Sequence, residues 1–329
     1  MRAAITATGH HVPPDVRTND YFAKRLDTTD EWIQSRTGIV ERRFARGGAT
    51  SDLAVAAARR CLDARGIAPA AVDGIVVATM TPDRPLPSTA AIVQRKLGAA
   101  NAWGFDVSAA CSGFIYALIT AAKLVESGTL RCALVCGADQ MSAVIDPLDR
   151  ATAVLFGDGA GAVLVEPIAD DTVGILDHVC FMDGGGEDAL YIPSGGSASP
   201  ASAESVAARG HFVVQDGPAV FRAAVTGMAD VTEALLKRAG LAGAEVDWLV
   251  PHQANRRIIE AVAKRIGFDL ARVVINLDRF GNTVAGTIPL GLSELNAQKR
   301  LAYGDRVVLT AFGAGYTSGA IYLRWAIRP

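Results

Sequence analysis

The sequence predicts a layered α/β protein made of two similar halves, each of βαβαβαββ type, related by a pseudo-twofold axis. Three observations carry that prediction: strand-like and helix-like runs alternate, the halves repeat each other, and half of the residues are apolar. The repeat aligns ARGIAPAAVDGIVV (64–77) with RAGLAGAEVDWLVP (238–251) at a constant offset of 174 residues (240 − 66 and 247 − 73). GTLRCALVCG (128–137) matches YGDRVVLTAFG (303–313) in type, with Gly137 opposite Gly313. The tails GAGAVLVEP and GYTSGAIYLRW follow those glycines. We divide the chain into an N-terminal half, 1–170, and a C-terminal half, 171–329. At 329 residues, 50% apolar and mean hydropathy +0.25, the chain suffices for a large core.

Taken in order, residues 1–12 read as a strand ending at Pro13-Pro14. TTDEWIQSRTGI (28–39) is a helix whose Asp30 and Glu31 suit the positive first turn and whose Trp32 and Arg36 share one face. TSDLAVAAARRCLDARG (50–66) is a second helix, with Ser51 and Asp52 as cap candidates. The strand VDGIVVATM (72–80), a proline-rich loop (82–87) and the helix STAAIVQRKLG (88–98) follow. WGFDVSAACSGFIYALITAAKL (103–124) is the central unit: a strand, a crossing of small residues around Cys111, then a long apolar helix. RCALVCGAD (131–139) is a buried strand, and ATAVLFGDGAGAVLVEP (151–167) reads as a hairpin of two strands around Gly157-Asp158-Gly159. Residues 183–210, rich in Gly, Ser, Pro and Ala, read as a surface loop. Beyond it lie a helix (218–240), the strand VDWLVPHQAN (246–255), a helix (256–267) and the strand RVVINL (272–277). A helix starting near GNTVAGTIPLGLSEL (281–295) and two strands (305–315 and 318–325) close the chain.

Composition excludes several functions. Net charge is −2, with 32 basic and 34 acidic residues well mixed, so no basic footprint for nucleic acid is present. Five cysteines, at 61, 111, 132, 136 and 180, have no zinc spacing, and neither a metal nor a cofactor is expected. The first residues turn polar after eight positions and no apolar run approaches a membrane span, so a reduced, cytoplasmic enzyme is the expectation.

Cys111 sits where a helix begins, beside unpaired N–H groups and the positive end of the helix dipole, which favour a thiolate. Ala109, Ala110, Ser112 and Gly113 leave room for a substrate, although many buried thiols only pack. The pseudo-axis brings Asn282, at the matching helix start, to face Cys111. His252 ends the strand VDWLVP, where open α/β sheets place ligands. This Cys–His–Asn set admits two readings. In a cysteine hydrolase, Asn orients His and His deprotonates the thiol. In an oxyanion site, both donate N–H groups to an oxygen that gains charge. His10, His11, His178 and His211 receive no role. The run GDGAGA (157–162) lacks the Lys-Ser/Thr of a phosphate loop and precedes a strand, so we read it as a turn.

Four stretches resemble the 3-oxoacyl-ACP synthase III enzymes, thiolase-fold condensing enzymes that begin fatty acid synthesis. They are DEWIQSRTGI (30–39), DVSAACSGF (106–114), PHQANRRI (251–258) and DRFGNTVAGTIP (278–289), and the likeness runs from about residue 4 to 327. It implies a thiolase-like fold and a two-step transfer. Cys111 takes an acyl group from a short acyl-CoA; malonyl-ACP then loses carbon dioxide and attacks the acyl-enzyme. His252 and Asn282 would hold the malonyl thioester oxygen, and the N–H groups of Cys111 and Ala314 the acyl oxygen. Trp32, Arg36, Arg150, Phe221 and Asn255 would bind CoA, and Arg222, Arg257 and Lys264 would dock acidic acyl carrier protein. Phe156, Met141, Leu190 and, across a dimer interface, Leu86 would line a primer pocket open to acetyl, propionyl and short branched groups. Three positions depart from the family's habit: Pro218 and Ala151, where asparagine or glycine is frequent, and Ala314 in place of glycine. A condensing enzyme of secondary metabolism with another donor or acceptor is the alternative within the resemblance. A thioesterase and a non-catalytic binding protein stand outside it.

Overall fold

The computed structural model describes residues 1–328. Strand β1 (Arg2–His11) is followed by β2 (Asp15–Thr18), α1 (Asn19–Ala23), α2 (Asp30–Thr37) and β3 (Glu41–Phe44), with β2 and β3 paired. Next come α3 (Thr50–Arg65), β4 (Gly74–Ala78), α4 (Thr89–Leu97), β5 (Trp103–Val107), α5 (Gly113–Glu126), β6 (Ala133–Asp139), α6 (Arg150–Ala153) and β7 (Gly159–Ile168). The chain continues through β8 (Gly174–Met182), β9 (Leu190–Tyr191), α7 (Ala203–Ala207), β10 (Val214–Gln215), α8 (Gly217–Ala239), β11 (Trp248–Pro251) and α9 (Arg256–Arg265). It ends with α10 (Leu277–Phe280), α11 (Thr287–Ala297) and the hairpin β12 (Arg306–Gly313) and β13 (Thr317–Arg324). The division proposed at 170/171 falls between β7 and β8.

Two sheets form the frame. One runs β1-β7-β6-β4-β5, with β6, β4 and β5 parallel and β7 antiparallel to both its neighbours. The other runs β11-β12-β13-β8, with β11 and β12 parallel and the remaining pairs antiparallel. Helices α5 and α11 lie between the sheets, α3 and α4 cover the outside of the first, and α8 and α9 cover the outside of the second. The sequence dictates this layering. β4 (GIVVA) and β6 (ALVCGAD) are buried along their whole length, as strands covered on both faces must be. α5 buries Phe114, Ile115, Ala117, Leu118, Ala121, Ala122 and Val125, residues on every side, and keeps its charges to the last turns. The repeat is visible in the backbone: α3 and α8 end at Gly66 (φ 73°) and Gly240 (φ 66°), twin left-handed caps separated by 174 residues (240 − 66).

The structure corrects four local readings. Residues 151–167 are not a hairpin: the Asp149 carboxylate accepts the Ala151 N–H (2.9 Å) and the Thr152 hydroxyl (2.6 Å), which starts a helical turn where the first strand was expected. The glycines of GDGAGA serve close approach instead. A Cβ on Gly161 would lie 2.5 Å from the Leu290 nitrogen, so its absence lets α11 rest on β7. RVVINL forms one bridge, Val273 to Leu249, because the Gln253 side chain takes over the ladder, accepting from Asn276 N–H (3.1 Å) and donating to the Val274 oxygen (2.9 Å). Residues 183–210 hold β9 and α7 and send Leu190 to the site described next.

Candidate active site

Cys111 lies in a 3₁₀ turn, Ala110–Ser112, between β5 and α5, and is only 6% exposed. The turn requires a left-handed residue, Ala110 (φ 47°), whose N–H donates to the Met80 sulfur at 3.2 Å. A matching turn, Val284–Gly286, precedes α11, with Val284 at φ 50°. The offset is again 174 (284 − 110), and the backbone bonds repeat: Ser112 N–H to Ala109 oxygen (3.1 Å) and Gly286 N–H to Thr283 oxygen (2.9 Å). The twin of Cys111 is therefore Ala285, and Asn282 stands three residues ahead of it. The expectation that Cys111 and Asn282 occupy matching helix starts holds for the two turns and not for the residues themselves.

Asn282 is pinned at both backbone ends, its N–H donating to the Leu155 oxygen (2.9 Å) and its oxygen accepting the Gly157 N–H (3.0 Å). Its Oδ1 accepts the Val284 N–H at 2.8 Å, and its carboxamide acts to lower the pKa of the Cys111 thiol. His252 follows β11, with its N–H on the Thr310 oxygen (2.8 Å) and its Nδ1 2.8 Å from the Thr287 hydroxyl. Cys111, His252 and Asn282 line one cavity of about 440 Å³, together with Trp32, Arg36 and Phe221. Because Trp32 and Arg36 are exposed, Phe221 half-buried and Cys111, His252 and Asn282 buried, the cavity runs from the surface to the thiol.

Burial sets the electrostatics. It drives the His252 imidazole down to about 3, so the ring is neutral at physiological pH. It pushes the Cys111 thiol up to about 12, with the Asp139 charge adding to the rise, while its own backbone N–H and the Asn282 side chain pull the other way. Burial therefore outweighs the helix terminus, which in the sequence pointed toward a thiolate. Asp139, which the sequence did not single out, is buried and raised to about 7. The visible signal was a carboxylate ending the apolar run RCALVCGAD. Among the described residues the N–H of Ala314 has no acceptor and that of Cys111 has none but its own sulfur, so both can turn to an incoming oxygen. Gly313 keeps that corner open, since a Cβ there would lie 2.7 Å from the Cys111 nitrogen.

The remaining residues separate into groups. Met141, Phe156 and Leu190 line an apolar recess of about 80 Å³ beside Cys111, along with Met80, Val144 and Val213, which the sequence did not single out. Leu86 is away from the recess within this chain and 83% exposed. The Arg150 guanidinium lies 5.0 Å from the centre of the Trp32 ring and donates to the Asp27 oxygen at 2.7 Å. Asn255 caps α9 through Oδ1 and donates Nδ2 to the Arg36 oxygen (2.9 Å), tying α9 to α2. Arg257, over the Phe221 ring, also lines the cavity, whereas Arg222 lines a separate groove and Lys264 lies on the exposed face of α9. Pro218 sits in the first turn of α8, where its missing N–H costs nothing, and Ala151 lines the cavity.

Comparison with known proteins gives three further findings. Residues 105–184 match the family described as 3-oxoacyl-[acyl-carrier-protein (ACP)] synthase III, and residues 236–325 match its C-terminal part. The chain is 53% identical to the beta-ketoacyl-[acyl-carrier-protein] synthase III of Chlorobium chlorochromatii (strain CaD3), over 99% of this chain and 100% of that one. Among solved structures it is similar to 3-oxoacyl-[acyl-carrier-protein] synthase III from Aquifex aeolicus VF5 (TM-score 0.91, 39% identity, 98% and 100% of the two chains). It is also similar to the priming beta-ketosynthase of the R1128 polyketide biosynthetic pathway (TM-score 0.92, 36% identity, 100% and 97%).

Proposed function

The chain belongs to the 3-oxoacyl-ACP synthase III family of thiolase-fold condensing enzymes, and from that premise we propose that it condenses a short acyl-CoA with malonyl-ACP to give 3-oxoacyl-ACP. The observation that carries this reading is the convergence of Cys111, His252 and Asn282 on one buried cavity end, beside the N–H groups of Cys111 and Ala314, which no backbone carbonyl among the described residues takes. In the first half-reaction the Cys111 sulfur attacks the acyl-CoA carbonyl. Its oxygen gathers charge against the N–H groups of Cys111 and Ala314, the C–S bond to CoA breaks, and the thiol proton ends on CoA. In the second, the malonyl group loses carbon dioxide, and the enolate oxygen is held by the Asn282 amide and the His252 ring. The enolate carbon attacks the acyl carbonyl, the C–S bond to Cys111 breaks, and the released thiolate takes a proton from water to restore the thiol.

A neutral imidazole held down at about 3 is a poor base and a steady hydrogen-bond donor, which favours this reading over a hydrolase. Trp32, with Arg36 and Arg150 beside it, suits the adenine and phosphates of CoA, and Phe221 and Asn255 its pantetheine arm. Met141, Phe156 and Leu190 would bound the primer, and Arg222, Arg257 and Lys264 would meet an acidic carrier protein. The protein would act in the cytoplasm as a homodimer; no helix among the described residues is long and apolar enough to cross a membrane.

The likeness to a polyketide priming ketosynthase supports a second reading, a specialised pathway with another acceptor. Intact-protein mass spectrometry separates them. A panel of acyl-CoAs should leave a Cys111 adduct that malonyl-ACP clears as 3-oxoacyl-ACP; clearance only by malonyl-CoA would support the specialised reading, and clearance by water a thioesterase. Cys111→Ala should abolish loading, whereas Asn282→Ala should spare it and block decarboxylation.

A further inference from the structure

Thr287, the first residue of α11, is buried and takes no direct part in the reaction proposed above. Its hydroxyl oxygen lies 2.8 Å from Nδ1 of His252 and 3.1 Å from the Val284 carbonyl oxygen. Two arrangements fit these distances: the hydroxyl donates to the Val284 oxygen and accepts Nδ1–H, or it donates to a bare Nδ1 and leaves the Val284 oxygen to the backbone. The Val284 oxygen already accepts the Thr287 N–H as that turn closes, so it is satisfied without the hydroxyl. Among the described residues nothing else is hydrogen-bonded to Nδ1. The backbone of His252 is fixed separately, through its N–H on Thr310, so the Thr287 contact is what orients the ring.

We propose that Thr287 is a positioning residue that donates its hydroxyl proton to Nδ1 of His252 and so holds the ring as the Nε2–H tautomer, its N–H on the cavity side. This deepens the function proposed above and rests on its reading of His252 as a donor to the enolate oxygen. The consequence is chemical. A neutral imidazole has one N–H and one lone pair, and a lone pair on the cavity side would repel the oxygen that gains charge as carbon dioxide leaves. The tautomer thus decides whether His252 assists decarboxylation or opposes it, as the partner of one ring nitrogen sets the state of the other. The sequence offers no sign of this, because the two residues stand 35 positions apart and meet only through the packing of α11 against the end of β11.

The test combines spectroscopy with two variants. Nitrogen NMR of histidine-labelled protein at neutral pH, with the His252 signals assigned by their loss in His252→Ala, should show an imine-type Nδ1 and a pyrrole-type Nε2. Thr287→Val, which keeps the shape and removes the hydroxyl, should lower kcat for malonyl decarboxylation about tenfold, the scale of one hydrogen bond of roughly 1.4 kcal/mol. Acyl loading of Cys111 and the KM for malonyl-ACP should stay within about twofold, and Thr287→Ser should restore the rate. A pyrrole-type Nδ1 in the wild-type protein would overturn the proposal. So would a wild-type decarboxylation rate in Thr287→Val when His252→Ala is slow. A wild-type rate in His252→Ala itself would overturn the reading of His252 beneath it.

Discussion

Asp139 accepts the Met80 N–H at 2.7 Å and the Ala285 N–H at 3.0 Å, with the hydroxyls of Thr79 and Thr81 at 3.1 and 3.2 Å. It thereby fills, in the second half, the place that the Cys111 N–H leaves open in the first: Ala285 is the twin of Cys111, and its amide is already taken. One pseudo-symmetric turn became a site and the other a joint. Burial raises the Asp139 carboxyl to about 7 despite those bonds, well above its usual value near 4. A carboxyl raised on folding binds its proton more tightly in the native state. Its contribution is therefore largest at acid pH and is lost as pH rises through about 7. Above that pH its negative charge opposes the Cys111 thiolate. Asp139→Asn should accordingly lower the pH midpoint for alkylation of Cys111, followed by peptide mass spectrometry so that the other thiols do not interfere. An unchanged or higher midpoint would show that Asp139 does not act on the thiol through its charge.

At the scale of elements, what could be read in advance was what periodicity and composition carry. Strand β5, the crossing and α5 were legible because a short strand rich in aromatic residues, four small residues and a helix apolar on nearly all sides follow one another in the sequence. β8 was not, because GILDHVCFM is an edge strand paired only with β13 and is half-exposed, so Asp177 and His178 interrupt its apolar run. The 151–167 segment misled for the opposite reason: it is apolar enough for two strands, but the cap at Asp149 decides otherwise. Of the site, Cys111, His252 and Asn282 could be placed from strand ends and helix starts. Thr287, Met80 and Asp139 could not, since they act through contacts between distant elements. Gly313 is such a contact. It ends β12 against the 3₁₀ turn that precedes α5, so a methyl there must push aside the nitrogens of Cys111 (2.7 Å) and Ser112 (3.0 Å). Gly313→Ala is expected to slow acyl loading of Cys111 about 10²–10³-fold, the effect of losing one oxyanion donor. The thermal midpoint should fall by a few degrees at most if the turn shifts as a unit. Loading at the wild-type rate, measured by rapid-quench mass spectrometry with acetyl-CoA, would remove the Cys111 N–H from the proposed oxyanion site.

At the scale of the whole molecule, the two sheets differ in how their edges are treated. β5 is hydrogen-bonded to β4 on one side only, its five residues are at most partly buried, and Trp103 at its start is 49% exposed. An exposed apolar edge is a template for pairing with another chain unless something covers it. The loop just before α4 adds Leu86, which no residue of its own chain buries. A second copy pairing along β5 would cover Trp103, continue the sheet across a twofold axis and give Leu86 a surface to meet, in keeping with the expectation that it reaches a primer pocket from a neighbouring protomer. Trp103→Glu places a charge on that edge, and sedimentation velocity at micromolar concentration should then show a monomer where the wild-type chain sediments as a dimer. Equal dimerisation of both would move the interface away from β5, and a monomeric wild-type chain would dismiss the dimer. If the variant monomer still loads acyl groups on Cys111 but accepts longer ones, the recess beside Cys111 is closed by the partner. In that case primer length is set by the assembly, and the single chain supplies only the chemistry.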